Sequence, residues 1–258
     1  MKENLTIGLV QVNLIWENPE LNRKLIGAYI DEYSTKVDIF ILPEMFTSGF
    51  TMSPKNISES MKGVTINWLK QLSNKKNAAI CGSLVIEENK CFFNRFLFVE
   101  PNGLIQYYDK RHTFNMAGEG KSYCKGSNNG LIKFKEWKIL LRVCYDLRFP
   151  VWLRNLDDYD LLIIVANWPS PRINAWDNLL IARAIENMSY CVGVNRLGSD
   201  ENDNYYPGNS VVIDPMGNSL LSLKKNVGIS SINLDKNKLK KMRILLPFLE
   251  DKDSFTLE

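Results

Sequence analysis

The chain has 258 residues, 45% of them apolar and 24% charged, with 32 Lys and Arg against 29 Asp and Glu for a formal charge of +3. That balance excludes a mainly disordered chain, which needs few apolar residues and a high net charge, and gives no reason to expect nucleic-acid binding. No stretch approaches the roughly 18 consecutive apolar residues of a membrane-spanning helix, and the opening Met-Lys-Glu-Asn-Leu-Thr has no secretion-signal pattern.

In chain order, strand and helix patterns alternate. Leu5 to Val12 reads as a strand, and Asn18 to Tyr33 has helical spacing at Leu21, Leu25, Ile26 and Ile30. Val37 to Leu42 is a short buried strand stopped by Pro43. Ile66 to Lys75 predicts a helix and Ala78 to Ile86 a strand. Cys91 to Val99 and Leu104 to Tyr108 flank Pro101-Asn102-Gly103, a hairpin in which Asn-Gly supplies positive φ. Residues 111–130 carry four glycines and little periodicity, so a long functional loop is expected. Leu131 to Phe134 and Trp137 to Val143 form a second hairpin, Phe149 to Leu156 a short helix, and Leu161 to Val165 a fully apolar strand. Arg172 to Asn187 is a helix, followed by strands at 190–195, 210–213, 219–223 and 228–233. Residues 224–243 hold seven Lys or Arg against one Asp, the mark of a solvated helix face, and from Phe248 the chain is an extended tail. With no repeat, linker or low-complexity tract, the expectation is an α/β fold of helices layered on mixed sheet.

Five cysteines contain no C-x-x-C pair, against a zinc or thioredoxin-type site. Free thiols of a reducing cytoplasm are expected, with Cys81, Cys91 and Cys191 as inert core residues on strands and Cys124 exposed and oxidisable in the glycine-rich loop. The single histidine, His112, excludes any mechanism that needs two.

Three polar residues each follow an apolar strand: Glu44, Lys110 and Cys144. Strand ends in layered α/β folds gather on one rim, where sites form. A thiol of ordinary pKa near 8.5 is only a few per cent thiolate at neutral pH. A carboxylate can take its proton during attack, and an ammonium can stabilise the thiolate and an oxyanion. Taken singly, each residue is equally a core thiol, a strand-end cap or a solvated charge; together they suit histidine-free covalent catalysis.

The surrounding words are specific. Leu42-Pro-Glu-Met-Phe-Thr-Ser-Gly-Phe-Thr-Met52, Tyr108-Asp-Lys-Arg-His-Thr-Phe114 and Val143-Cys-Tyr-Asp-Leu-Arg-Phe-Pro150 resemble the three signature segments of the nitrilase superfamily of carbon–nitrogen hydrolases. Ala166-Asn-Trp-Pro169, Ala182 to Asn187 and Gly193 to Arg196 resemble it too, so the likeness spans roughly residues 4–245. It implies an α-β-β-α sandwich, a carbon-nitrogen hydrolase domain over 1–245, and a tail, 246–258, packing on the partner of a homodimer. Cys144 is then the nucleophile, Glu44 the general base and Lys110 the oxyanion stabiliser. Glu119 matches the family's additional glutamate, positioning substrate or Lys110, and the Tyr145 backbone N–H is a second oxyanion donor. No metal or organic cofactor is implied.

The Met-Phe-Thr-Ser-Gly-Phe segment and Cys-Tyr-Asp-Leu-Arg-Phe-Pro resemble the omega-amidase branch, which hydrolyses the distal amide of 2-oxoglutaramate and 2-oxosuccinamate. Such a small-molecule substrate needs a carboxylate anchor, for which Arg172 is the first choice, ahead of Arg111. Arg148 reads as a structural ion pair. Phe46, Thr47, Trp168, Phe114 and His112 are candidate pocket residues, each otherwise a packing or loop residue. Alternatives within the family are another small amide, an N-carbamoyl compound or a nitrile. A non-catalytic binding protein on the same fold is disfavoured by the complete Glu44–Lys110–Cys144 set, and a dinucleotide site by the absence of G-x-G-x-x-G after the first strand.

Overall fold

A computed structural model describes residues 4–256; Leu257 and Glu258 of the expected tail lie outside them. The elements are β1 (Asn4–Gln11), α1 (Pro19–Glu32), β2 (Ile39–Ile41), α2 (Val64–Lys76), β3 (Ala79–Glu88), β4 (Cys91–Val99) and β5 (Ile105–Asp109). There follow α3 (Glu119–Ser122), β6 (Leu131–Phe134), β7 (Trp137–Val143), α4 (Pro150–Leu153), β8 (Leu161–Ala166), α5 (Ile173–Glu186) and β9 (Tyr190–Asn195). The last are β10 (Leu197–Ser199), β11 (Tyr205–Pro207), β12 (Ser210–Ile213), β13 (Ser219–Lys224), β14 (Gly228–Asp235) and α6 (Lys236–Leu245).

Two six-stranded mixed sheets run β14-β1-β2-β3-β4-β5 and β13-β12-β9-β8-β7-β6. The strands that read as uninterrupted apolar runs are buried on both faces, which explains the pattern. In β8, Leu161, Ile163 and Val165 enter the core between the sheets, while Leu162, Ile164 and Ala166 meet α5 through Trp176, Leu180 and Ala184. In β2, Ile39 and Ile41 face the other sheet and Phe40 packs outward under α1 and α2. The layers are therefore helix, sheet, sheet, helix, as the resemblance implied. α1 begins on an Asn18 cap that accepts from the Leu21 N–H at 3.1 Å, with Pro19 pre-set for the first turn.

Several expectations are corrected. In the β4–β5 turn only Gly103 has positive φ, and the Asn102 side chain instead accepts from the Leu104 N–H. The basic stretch 224–243 is a helix only from Lys236, because β14 pairs with β1 along its whole length before Asp235 caps α6. Residues 197–207 form the unexpected hairpin β10–β11. Cys91 and Cys124, expected as a core thiol and a free loop thiol, are joined in a disulfide with Cα atoms 5.9 Å apart. Folding lays the loop along the start of β4, where the Cys124 N–H donates to the Phe92 carbonyl at 2.8 Å. Cys81 and Cys191 are buried free thiols as expected. Among the described residues no helix is long and apolar enough to cross a membrane.

The long loop returns to the end of β5 at Gly126, whose N–H donates to the Lys110 carbonyl at 3.0 Å. A Cβ there would lie 2.0 Å from the Asp109 carbonyl oxygen, a backbone atom that cannot swing away. Gly126→Ala will therefore destabilise the protein by about 1–3 kcal/mol, the range for overpacking, and lower Tm by several degrees. Calorimetry showing an unchanged Tm would contradict this close approach.

Candidate active site

The three strand-end residues meet. Glu44 follows β2, Lys110 follows β5 and Cys144 follows β7, so two come from one sheet and the third from the sheet facing it, at the same rim. Two backbone positions aim them. Cys144 has φ +46, opening a tight turn over Cys144–Arg148, and Met45 has φ +43 just after Glu44. Non-glycine residues in this left-handed region are held by their surroundings. At Met45 the holding bonds are from its N–H to Ser83 Oγ at 2.9 Å and from the Phe46 N–H to the Ser83 carbonyl at 3.0 Å. At Cys144 the Asp146 carboxylate accepts from the Val143 N–H at 3.0 Å.

Glu44, Lys110 and Glu119 are all buried. The Lys110 Nζ donates to Glu44 Oε1 at 3.0 Å and to Glu119 Oε1 and Oε2 at 3.0 and 2.9 Å. Burial opposes the Lys110 charge, but Glu119 and Glu44 outweigh it and hold the amine well above its ordinary pKa as an ammonium. Burial and the Glu44 charge push the Glu119 carboxyl up, against Lys110 and the Phe114 N–H, which pull it down. Glu44 Oε2 also accepts from the Asn167 N–H at 2.8 Å.

Burial and the neighbouring Glu44 carboxylate push the Cys144 thiol well up, and Lys110 only partly offsets them. The resting sulfur is thus a thiol rather than a preformed thiolate. Such a trio can pass the thiol proton to the carboxylate as the sulfur attacks an electrophile, while the ammonium faces the charge that develops. Tyr145 lies beside Cys144 on the cavity wall, and as an early residue of the tight turn its N–H lacks a carbonyl partner within that turn.

Cys144 opens into a cavity of about 230 Å³. Trp168, Phe114, Arg172 and Arg148 line it, together with Phe50 and Tyr206. The Arg172 guanidinium lies 5.1 Å from the Phe114 ring centre, and Arg148 lies 5.0 Å from that of Trp168. Arg148 was expected in a structural ion pair, but among the described residues neither it nor Arg172 has a carboxylate partner. Among the described residues no acidic side chain lines the cavity. Two uncompensated cations therefore share the space with the thiol.

Three expected pocket residues lie elsewhere. Phe46 is buried in the core beneath the helices, 6.3 Å from Trp68 between ring centres. Thr47 is buried too, its carbonyl accepting from Asn22 Nδ2 at 2.8 Å. The Met45 turn drives both inward, and Phe50 reaches the cavity instead. His112 stacks on Phe149 at 3.7 Å and its Nδ1 lies 2.8 Å from Asp146 Oδ1, so it shapes the segment after Lys110. Asp146 also accepts from Tyr108 at 2.8 Å and from the His112 N–H at 3.1 Å. It thereby ties the Lys110 segment to the Cys144 turn.

Sequence reasoning missed Asp146, Asn94, Asn167, Asn204 and Tyr206. Asn94 had a signal: with Arg95 it is one of two polar residues in an otherwise apolar and aromatic strand. Asn204 and Tyr206 had another, since Asp200 to Gly208 is dense in turn formers.

A family model described as carbon-nitrogen hydrolase matches residues 6–244. Omega-amidase YafV of Escherichia coli strain K12 is 41% identical over 254 residues, covering 98% of each chain. The 2-oxoglutaramate amidase of Bacillus subtilis strain 168 is 31% identical, covering 95% of this chain and 96% of that one. Among solved structures, XC1258 from Xanthomonas campestris, described as a CN-hydrolase superfamily protein with an arsenic adduct in the active site, superposes with a TM-score of 0.97 at 39% identity. That match covers 99% of this chain and 100% of the other.

Proposed function

The chain belongs to the carbon-nitrogen hydrolase family, and on that premise we propose that it is an omega-amidase. It would hydrolyse the distal amide of a 2-oxo dicarboxylic acid monoamide, such as 2-oxoglutaramate or 2-oxosuccinamate, to the 2-oxo acid and ammonia. The observation that carries this reading is the cavity: Arg148 and Arg172, without carboxylate partners, line the same space as Cys144. Guanidinium groups without a counter-ion favour a substrate carboxylate. A cavity wall free of acids disfavours the α-ammonium of glutamine and is indifferent to a 2-oxo group.

In the proposed mechanism Cys144 attacks the amide carbonyl as Glu44 accepts its proton. Lys110 and the Tyr145 N–H hold the oxyanion, and Glu119 orients Lys110. Glu44 returns the proton to the departing ammonia, leaving a thioester on Cys144. Water, activated by Glu44, then cleaves the thioester and releases the acid, splitting one difficult step into two. Arg172 and Arg148 bind the carboxylate end, with Trp168 and Phe114 as the walls behind them.

Ammonia release from 2-oxoglutaramate, compared with glutamine, a simple nitrile and a carbamoyl amino acid, tests the substrate. Release from the 2-oxo acid amide far ahead of the others is expected; none from a folded protein would overturn the assignment. Arg172→Met and Arg148→Met will each lower kcat/KM for 2-oxoglutaramate by about 10- to 100-fold, the range for a hydrogen bond to a charged group. Turnover of an uncharged short amide will change little. Equal losses on both substrates would remove the arginines from carboxylate binding.

The proposed assembly is a homodimer formed by the 1–245 domain, with 246–258 on the partner. Ile244, Leu245 and Phe248 are all exposed near the start of that tail, an apolar set suited to burial between copies. Sedimentation at equilibrium, with and without residues 246–258, distinguishes this from a monomer.

A further inference from the structure

We propose that Asn94, in the middle of β4, is a positioning residue that keeps Glu44 and Glu119 from sharing a proton and so directs the Cys144 proton to Oε2 of Glu44. This role presupposes Glu44 as the base, as proposed above.

The site buries two carboxylates around one ammonium. Two carboxyl groups brought together ordinarily hold one proton between them, as paired aspartates do. A proton parked there would be useless to the thiol. Asn94 Nδ2 stands between the two groups, donating to Glu44 Oε1 at 2.8 Å and lying 3.4 Å from Glu119 Oε1. With the Lys110 ammonium also on Glu44 Oε1 at 3.0 Å, both acceptor sites of that oxygen are filled. Oε2 accepts the Asn167 N–H at 2.8 Å, while the Asn167 side-chain amide is nearer the Glu44 carbonyl, 2.7 Å, than Oε2, 3.3 Å. Oε2 thus meets only neutral amide donors, one of them long, whereas Oε1 is held by the ammonium, so Oε2 is the oxygen more readily protonated. When the S–H bond of Cys144 breaks, the proton goes to Oε2 and the electron pair stays on sulfur to form the bond to the carbonyl carbon.

Two further observations single out this residue. Only the NH₂ end of an amide can face two carboxylates, and the opposite end, Asn94 Oδ1, is buried with no hydrogen-bond partner among the described residues. A buried acceptor without a partner is unfavourable, so the amide is held here for its donor end. The Asn94 carbonyl also accepts from the Lys110 N–H at 3.0 Å, placing it in register with the lysine that its side chain assists.

The test compares full-length Asn94→Leu, Asn94→Asp and Glu44→Gln by kcat–pH profiles on 2-oxoglutaramate. Leucine has a similar shape and no donor. Its kcat will fall by about 10- to 100-fold with KM unchanged, and activity will recover as pH rises and strips the shared proton. A neutral aspartic acid can donate as the amide does, so Asn94→Asp will be most active at low pH and decline as its carboxyl ionises. Opposite pH trends from one position are not produced by a packing defect. Two profiles parallel to the wild type, or a rise in KM alone, would overturn the role. If Asn94→Leu fails to fold, the nearly isosteric Asn94→Asp decides by its own pH trend. An active Glu44→Gln would instead show that the base assignment had failed.

Discussion

Glu44→Gln will lower ammonia release by about 10²- to 10⁴-fold, the span for loss of a positioned general base, yet leave Cys144 at least as reactive toward iodoacetamide at neutral pH. The two effects have opposite signs for one reason. In the resting site burial, and after it the Glu44 charge, hold the Cys144 thiol up, and Lys110 pulls it down. Glutamine keeps the shape and removes one of the raising causes. The thiolate fraction at a given pH then rises, and the midpoint of alkylation against pH moves down. Turnover needs more than a thiolate: it needs an acceptor for the thiol proton, a donor for departing ammonia and a base for the water that cleaves the thioester. Glutamine supplies none of these at neutral pH. Paired measurements of ammonia release and alkylation rate check both halves. Alkylation that slows as much as turnover would show that Glu44 acts by holding the thiol in place.

Cys144→Ala will remove turnover on the order of 10⁴-fold or more, as loss of a covalent nucleophile does. The fold will survive, because alanine accepts the same half-buried site and meets the same φ of +46. Mass spectrometry of the wild type quenched during turnover will show an acyl adduct on the peptide carrying Cys144, and the variant will show none. Glu44 and Lys110 remain paired in the variant, so any residual rate comes from polarisation of the amide and water attack. A variant that keeps substantial activity would exclude a thioester route.

Arg148 shows why the substrate end was harder to read than the trio. In sequence it sits four residues from Cys144 within Asp-Leu-Arg-Phe-Pro, where an ion pair was the natural expectation. Whether a guanidinium finds a carboxylate is decided by residues far away in the chain. Here it finds the face of Trp168 and the cavity. Phe46 and Phe50 make the same point: four residues apart in one motif, one is core and the other cavity wall, and the turn that closes at Gly49, with φ +73, separates them. Cys91 and Cys124 are 33 residues apart with no spacing signature, and the loop path alone brings them together.

By itself the sequence determined the order and type of nearly all the main strands and helices, the layering, and the trio Glu44, Lys110 and Cys144. These are local properties: apolar period reports burial, and a polar residue after an apolar run marks a strand end. The tertiary structure decided which neighbours complete the trio and which side chains face the cavity. Asn94, Asn167, Asp146 and Tyr206 enter through contacts that cross between elements, such as the 123-residue separation between Asn167 and Glu44. Such contacts depend on how two sheets stack and on backbone turns at Met45 and Cys144, and a buried polar atom takes whichever partner that packing brings within reach.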